Sequence, residues 1–244
     1  MNKREFVTSG LLWYTLNKRG WTMKTKINIK DNCLIIIVVI LIISFTLNIY
    51  QAVLNKRYCY EIGEKNYNKI EEIRFRNESI LSILESCIKA GSVNNRDLLT
   101  LYKNYSKISE AELNLWNNYL SNDGSVVKLL KNKEKNIIVN TRTKSELYTE
   151  IEELIYSYIQ NDMNKKIDVI ELKDKTLEDF RVLKDMSLDL NNYFNEFYEN
   201  NCNVSDDKKK EKMIKEDYWI DILQGIQEVN NKYVEYSFTY ISEQ

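Results

Sequence analysis

The hydrophobic residues of this chain follow two patterns, and the change comes near residue 55. From Cys33 to Leu47 the chain reads CLIIIVVILIISFTL, and the 24 positions between Asp31 and Lys56 carry no charge. As a helix, a run of that length reaches about 36 Å, enough to cross a hydrocarbon core of roughly 30 Å. Residues 33–54 are therefore predicted to form a single transmembrane helix, and no second run of this kind occurs in the sequence.

After Lys56 the apolar residues recur every three or four positions, the spacing of one helix face. From Lys56 to Ala90, Ile70, Asn77 and Leu84 form one row, and Ile73, Ile80 and Cys87 form the other. Leu81 and Ile88 widen the stripe. This helix is expected to continue from the span. Asn77 stands in an apolar row, where a polar residue can set register or oligomeric state; a partly wet position is the alternative. Ala90-Gly91-Ser92 ends the helix.

A second helix is predicted from Asn95 to Leu120, carried by Leu98, Leu101, Tyr105, Ile108, Leu115 and Tyr119, with Tyr102 and Trp116 beside them. Glu112 interrupts the row. Ser121-Asn122-Asp123-Gly124 is a stop. Residues 125–142 fit a hairpin, an extra helical turn or a loop equally well. Thr143-Lys144-Ser145-Glu146 matches a capping box. It opens a third helix with Leu147, Ile151, Leu154, Ile155, Tyr158 and Ile159, extended by Met163, Ile167 and Ile170. Thr176-Leu177-Glu178-Asp179 caps a fourth, facing inward through Phe180, Leu183, Met186, Leu190, Tyr193, Phe194 and Phe197. A last helix starts at Ser205 and keeps a seven-residue rhythm through Trp219, Ile226, Tyr233 and Tyr240.

The expected fold is all-α: a short basic tail over residues 1–32, the span over 33–54, and a bundle of four or five long amphipathic helices over 55–244. The chain has no proline, so nothing in it breaks a long helix by that route. About 190 residues are enough to bury a core without metals or disulfides.

Charge adds an orientation. Residues 1–54 hold seven basic residues and two acidic ones, net +5, which leaves 28 basic and 34 acidic, net −6, for the rest. The basic tail favours a cytoplasmic N-terminus with the large domain outside, as a signal anchor. A cleaved signal peptide is the competing reading, but Leu47-Asn48-Ile49-Tyr50 offers no small-x-small site. Met23 opens MKTKINIKDN, a natural start for the tail. Residues 1–22, with Trp13 and Trp21, are then an extension or an amphipathic patch on the membrane surface.

The chain also has no histidine. That excludes Ser-His-Asp and Cys-His catalysis, His-ligated zinc or haem, and a histidine pH switch. A mildly acidic domain lacks the basic stripe of a nucleic-acid binder. Cys33, Cys59, Cys87 and Cys202 form no CxxC. Cys59 and Cys87 lie 28 residues apart; on one helix that is about 42 Å, so they cannot pair within a chain. Cys87 with Cys202, or Cys59 across two copies, are the pairings left open, beside plain apolar roles.

Glu71-Glu72, Glu152-Glu153 and Asp206-Asp207 are adjacent acids, which point about 100° apart on a helix and make no preset dyad. Lys208 to Lys212 reads as a solvated helix start. Asn77, Asn104 and Asn203 begin glycosylation tripeptides, of which the first two fall within predicted helices. No catalytic, cofactor or metal residue is nominated. The candidate seam for a protein partner or a second copy is Trp219, Ile226, Tyr233 and Tyr240, and the rest of the expected surroundings is lipid bilayer.

The layout is similar to that of the extracytoplasmic helical regions of bacterial single-pass envelope, sporulation or sensory proteins, in architecture and composition alone. It implies a non-enzymatic, membrane-anchored interaction, scaffold or sensory module. Two alternatives stay open: a cytoplasm-facing coiled-coil adaptor, and a ligand-binding or enzymatic bundle built on Tyr, Lys and carboxylates.

Overall fold

A computed structural model describes residues 29–122, 146–165, 168–203 and 205–240. The expectations for the tail, for residues 125–142 and for Thr143, Lys144 and Ser145 of the capping box lie outside the described residues. The elements in order are α1 (Ile29–Ala90), β1 (Ser92–Asn94), α2 (Asn95–Asn122), α3 (Glu146–Lys165), β2 (Val169–Glu171), α4 (Asp174–Asn201), α5 (Asp206–Lys215) and α6 (Tyr218–Asn231). The chain divides into two compact units, with the division between Leu54 and Asn55.

In the first unit, residues 35–54 of α1 are exposed along their whole length, Ile35, Ile40, Leu41 and Phe45 among them. Among the described residues, α1 is the one helix long and apolar enough to cross a membrane. Within this stretch Thr46 Oγ1 donates to the Ile43 carbonyl at 2.8 Å, a bond made inside the helix.

The second unit is a helical bundle. Both apolar rows of α1 are buried, from Ile70 and Ile73 through Leu84 and Cys87. Cross-bonds give the directions. Asn118 of α2 donates to Asn66, while Arg76 donates to Asn104, so α2 runs antiparallel to α1. Asn77 and Glu71 of α1 meet Ser187 and Tyr198 of α4, again antiparallel. Tyr193 and Asp189 of α4 meet Asp221 and Lys232, so α6 returns along α4. Tyr105, Tyr148, Tyr158, Phe180 and Phe194 fill the centre with fully buried rings, each a large apolar payload.

Three expectations are corrected. The third helix was predicted to extend through Ile170; it ends at Lys165, and Ile170 sits in β2. β1 and β2 pair antiparallel, with Val93 opposite Ile170. This clip joins the α1–α2 corner to the α3–α4 corner. Gly91, at φ +68°, makes the turn into it, and its carbonyl accepts from Leu172 N–H at 2.9 Å. A left-handed residue after a helix is where glycine fits without strain.

The fourth helix starts at Asp174 rather than at a Thr176 cap, from an extended Lys173. The last helix is not one but two. The chain turns at Asp217, in the left-handed conformation at φ 53°, which short polar residues tolerate. The turn lets α6 lie back along α4 with Trp219, Ile222, Ile226 and Val229 in the core. A helix continuing straight would have carried that apolar face away from it. After Asn231 the chain continues as turns through residue 235 and then without regular secondary structure to residue 240.

Candidate functional site

The break at Asp217 and the end of α6 decide where the four seam residues fall. Trp219 and Ile226 are buried in the core. Tyr233 and Tyr240 stand beyond the end of α6, so the four do not share a helix face. Tyr233 is half-buried, and its hydroxyl donates to Asp189 Oδ2 at 3.1 Å. Burial, with the Asp189 hydrogen bond second, pushes its phenol up to about 12. Tyr240 is 44% exposed.

What those last residues build instead is a strap. Residues 232–240 run along α4 from Asp189 to Asp179 and are tied down at Asp179, which is fully buried. Asp179 Oδ1 accepts from the Tyr236 hydroxyl at 2.7 Å. Oδ2 accepts from the Tyr158 hydroxyl of α3 at 3.5 Å and from the Thr239 amide at 3.3 Å. Lys175 Nζ donates to the Tyr236 oxygen at 2.9 Å. Phe238 is buried between these ties. Burial, joined by the Asp179 charge, holds the Tyr158 phenol well above its ordinary value. A buried carboxylate persists where its lone pairs are occupied. Here they are occupied by two phenols and a backbone amide, a set that holds chain in place and presents no reactive group to solvent.

A second buried tie is Asn77. Its Nδ2 donates to the Ser187 carbonyl at 2.8 Å. The wet-position reading of Asn77 is thereby corrected: the amide is buried and fixes α1 against α4 within one chain. A third cluster links α1, α4 and α5. Tyr198 donates to Glu71 Oε1 at 2.6 Å, Arg74 holds both Glu71 and Glu78, and Lys209 lies 3.5 Å above the Tyr198 ring. Burial first, then the Glu71 hydrogen bond, raises the Tyr198 phenol far above its usual range. Glu112, which broke the row of α2, is buried and accepts from Trp116 Nε1 at 3.4 Å.

The cysteines are all free. Cys202 Sγ lies 3.4 Å from Met213 Sδ, near Glu71, while Cys87 is 16 residues further along α1 beside Asp97. Sixteen helical residues span about 24 Å, far beyond disulfide reach. The Cys87–Cys202 pairing is therefore excluded in this fold. Burial and the neighbouring Asp97 push the Cys87 thiol up to about 11, which makes it a poor nucleophile. Of the three glycosylation asparagines, Asn77 and Asn104 are buried and Asn203 is exposed. Glu152 is half-buried on α3 between Ser106 and Ser109; burial raises its carboxyl and the two hydroxyls oppose the rise.

Among the described residues no group of three or more His, Cys, Asp or Glu side chains is placed to hold a metal ion. The Asp179 tie was missed because Thr176–Asp179 reads as a cap. The signal was present: Asp179 stands in phase with Leu183, Met186 and Leu190 on the buried face of α4. Compared with known protein families, with curated proteins and with solved structures, the chain matches none.

Proposed function

We propose that this chain is a non-enzymatic, membrane-anchored helical interaction module of a bacterial cell envelope, with its N-terminus inside and residues 55–244 outside. One observation carries the reading. From Ile35 to Leu54 fourteen Ile, Val, Leu and Phe side chains stand between 43% and 65% exposed, and none is covered by protein. Covering the wet half of each gains roughly 1 kcal/mol, so on the order of 10–20 kcal/mol in all. That equals or exceeds the whole stability of an ordinary domain, about 5–15 kcal/mol. Lipid is the solvent that supplies such cover along a helix of bilayer length. The uneven distribution of basic residues supports the orientation.

The interaction part of the proposal rests on chemistry. Asp179 accepts from a backbone amide and the Tyr198 hydroxyl donates to Glu71, so these polar groups are bonded within the bundle. Their role in this reading is to hold a surface in shape.

Membrane extraction and labelling test the two halves. The full chain is expected to pellet with membranes at alkaline pH and to dissolve only in detergent. Asn203→Cys places a thiol at an exposed site, unlike buried Cys202. A membrane-impermeant maleimide is expected to label it in intact cells or spheroplasts. Labelling only after lysis reverses the orientation and favours the cytoplasmic adaptor. A chain that stays in the aqueous fraction without detergent overturns the anchor.

A further inference from the structure

The strap is held differently from the helices it lies on. Of residues 232–240 Phe238 alone is buried, and the segment has no helix or strand of its own. A stretch that buries one side chain opens at less cost than a helix that buries a whole face, as α6 does with Trp219, Ile222, Ile226 and Val229. Residues 232–235, all turns with no buried side chain, supply the hinge. The groove itself is set by α3 and α4. Tyr158 of α3 donates to Asp179, and its ring packs on Phe180 of α4, centres 6.0 Å apart. Asp179 therefore keeps a bond, and its orientation, when the strap is away.

Along the strap burial alternates: Tyr236 is half-buried, Ser237 exposed, Phe238 buried and Thr239 exposed. That is the period of an extended segment laid on a surface. Tyr236 and Phe238 share the inward side, ring centres 4.9 Å apart. The Tyr236 hydroxyl donates to Asp179 and accepts from Lys175, so its donor and its acceptor are both engaged, which suits a phenol and no other aromatic ring. Phe238 joins the hydrophobic core. Thr239 gives Asp179 its backbone amide, which any residue but proline can supply. A main-chain bond combined with seats for alternate side chains is how folded proteins take up extended peptides.

We propose that the α3–α4 groove is a docking site for an extended Tyr-x-Phe segment of a partner protein, and that residues 232–240 are its autoinhibitory occupant. The strap opens at its hinge while α1 to α6 stay folded, and the partner segment takes its place on Asp179 and Lys175. A tethered occupant competes at an effective concentration of about a millimolar. It lowers the partner's apparent affinity by the fraction of time the groove stands open. Binding is therefore weak for a free peptide and strong for a segment concentrated beside the groove, as on a protein confined to the same membrane. The inference deepens the interaction reading by naming the partner's chemistry, and it rests on that reading.

The test uses the full chain in mild detergent and a fluorescein-labelled peptide of residues 234–240, VEYSFTY, followed by anisotropy. Phe238→Ser in the chain removes the one buried anchor of the strap, and Tyr236→Ala removes its phenol; both leave α3 and α4 untouched. Each variant is expected to bind the peptide at least about ten-fold more tightly than the unaltered chain, with helix content unchanged. A peptide carrying Tyr236→Phe is expected to bind the Phe238→Ser chain about ten-fold more weakly, the loss of one hydroxyl held between a carboxylate and an ammonium. Equal affinity for the unaltered and opened chains, equal affinity of the two peptides, or no binding to the opened chains up to millimolar peptide overturns the proposal. So does loss of helix content in both variants, because the strap is then part of the fold and not a displaceable occupant. Failure of the anchor shows separately, as a chain that needs no detergent.

Discussion

Substituting Gly225→Ala brings two opposing effects into one residue, and the structure decides which wins. Gly225 lies on α6 under the ring of Tyr193 from α4. A Cβ built there falls 1.9 Å from Tyr193 Cζ and 2.1 Å from its hydroxyl oxygen. The ring has to swing away. It then gives up its hydrogen bond to the Asp221 carbonyl, 3.0 Å, and its packing against Phe194 and Phe197, ring centres 6.1 Å from its own. The bond is worth about 1 kcal/mol and each aromatic pair about 0.5–1.5 kcal/mol. Against this, alanine is favoured over glycine within a helix by about 1 kcal/mol. The net expectation is a loss of about 1–3 kcal/mol, the usual range for overpacking. In a Tyr193→Ala background the obstacle is gone, and the same substitution should stabilise by about 1 kcal/mol. Denaturant titration of the full chain in mild detergent, followed by helical circular dichroism, measures both steps. Equal effects of Gly225→Ala in the two backgrounds would falsify the close contact, because contacting residues couple by about 0.5–3 kcal/mol.

Further outcomes follow from the ties already described. Asp179→Asn keeps one acceptor for Tyr236 but turns a donor toward Tyr158 and the Thr239 amide; it should cost about 1–3 kcal/mol. Limited proteolysis should then cut residues 232–240 faster with helix content intact, and unchanged cutting counts against the strap. Alkaline pH gives a second check. Tyr233 is raised from 10.0 to about 12, and Cys87 from 9.0 to about 11. The folded chain thus keeps protons that the unfolded chain has lost. This contribution is whole below pH 9 and fades as pH climbs toward 12. The denaturation midpoint should hold from pH 7 to 9 and decline by pH 11; a midpoint still level at 11 refutes the assignment.

Helix faces were readable because burial alone sets them. Every member of the two rows of α1 is buried, and the Leu98–Tyr119 stripe of α2 likewise. The places that misled are those where a tertiary contact overrode a local period. Ile170 continues the rhythm of α3 in the sequence, yet it pairs with Val93 from a distant turn. Tyr233 and Tyr240 keep a seven-residue spacing from Trp219, but spacing carries no record that the chain stops being helical at Asn231. Asp179 shows the same limit from the other side. A carboxylate in an apolar row announces a buried bond without naming its partners, which here arrive from 21 residues upstream and 57 downstream.

The clip of β1 on β2 has a bearing on how the bundle assembles. It brings together Val93 and Ile170, 77 positions apart. Closing a loop of that size costs about 4 kcal/mol in chain entropy before any contact forms. Three facing pairs of residues cannot meet that on their own. They pair only once each helical hairpin has already docked on the other. Amide protons at this ladder should therefore exchange faster than those of the buried helices, because a clip that persists only on docked hairpins can open while the hairpins stay docked.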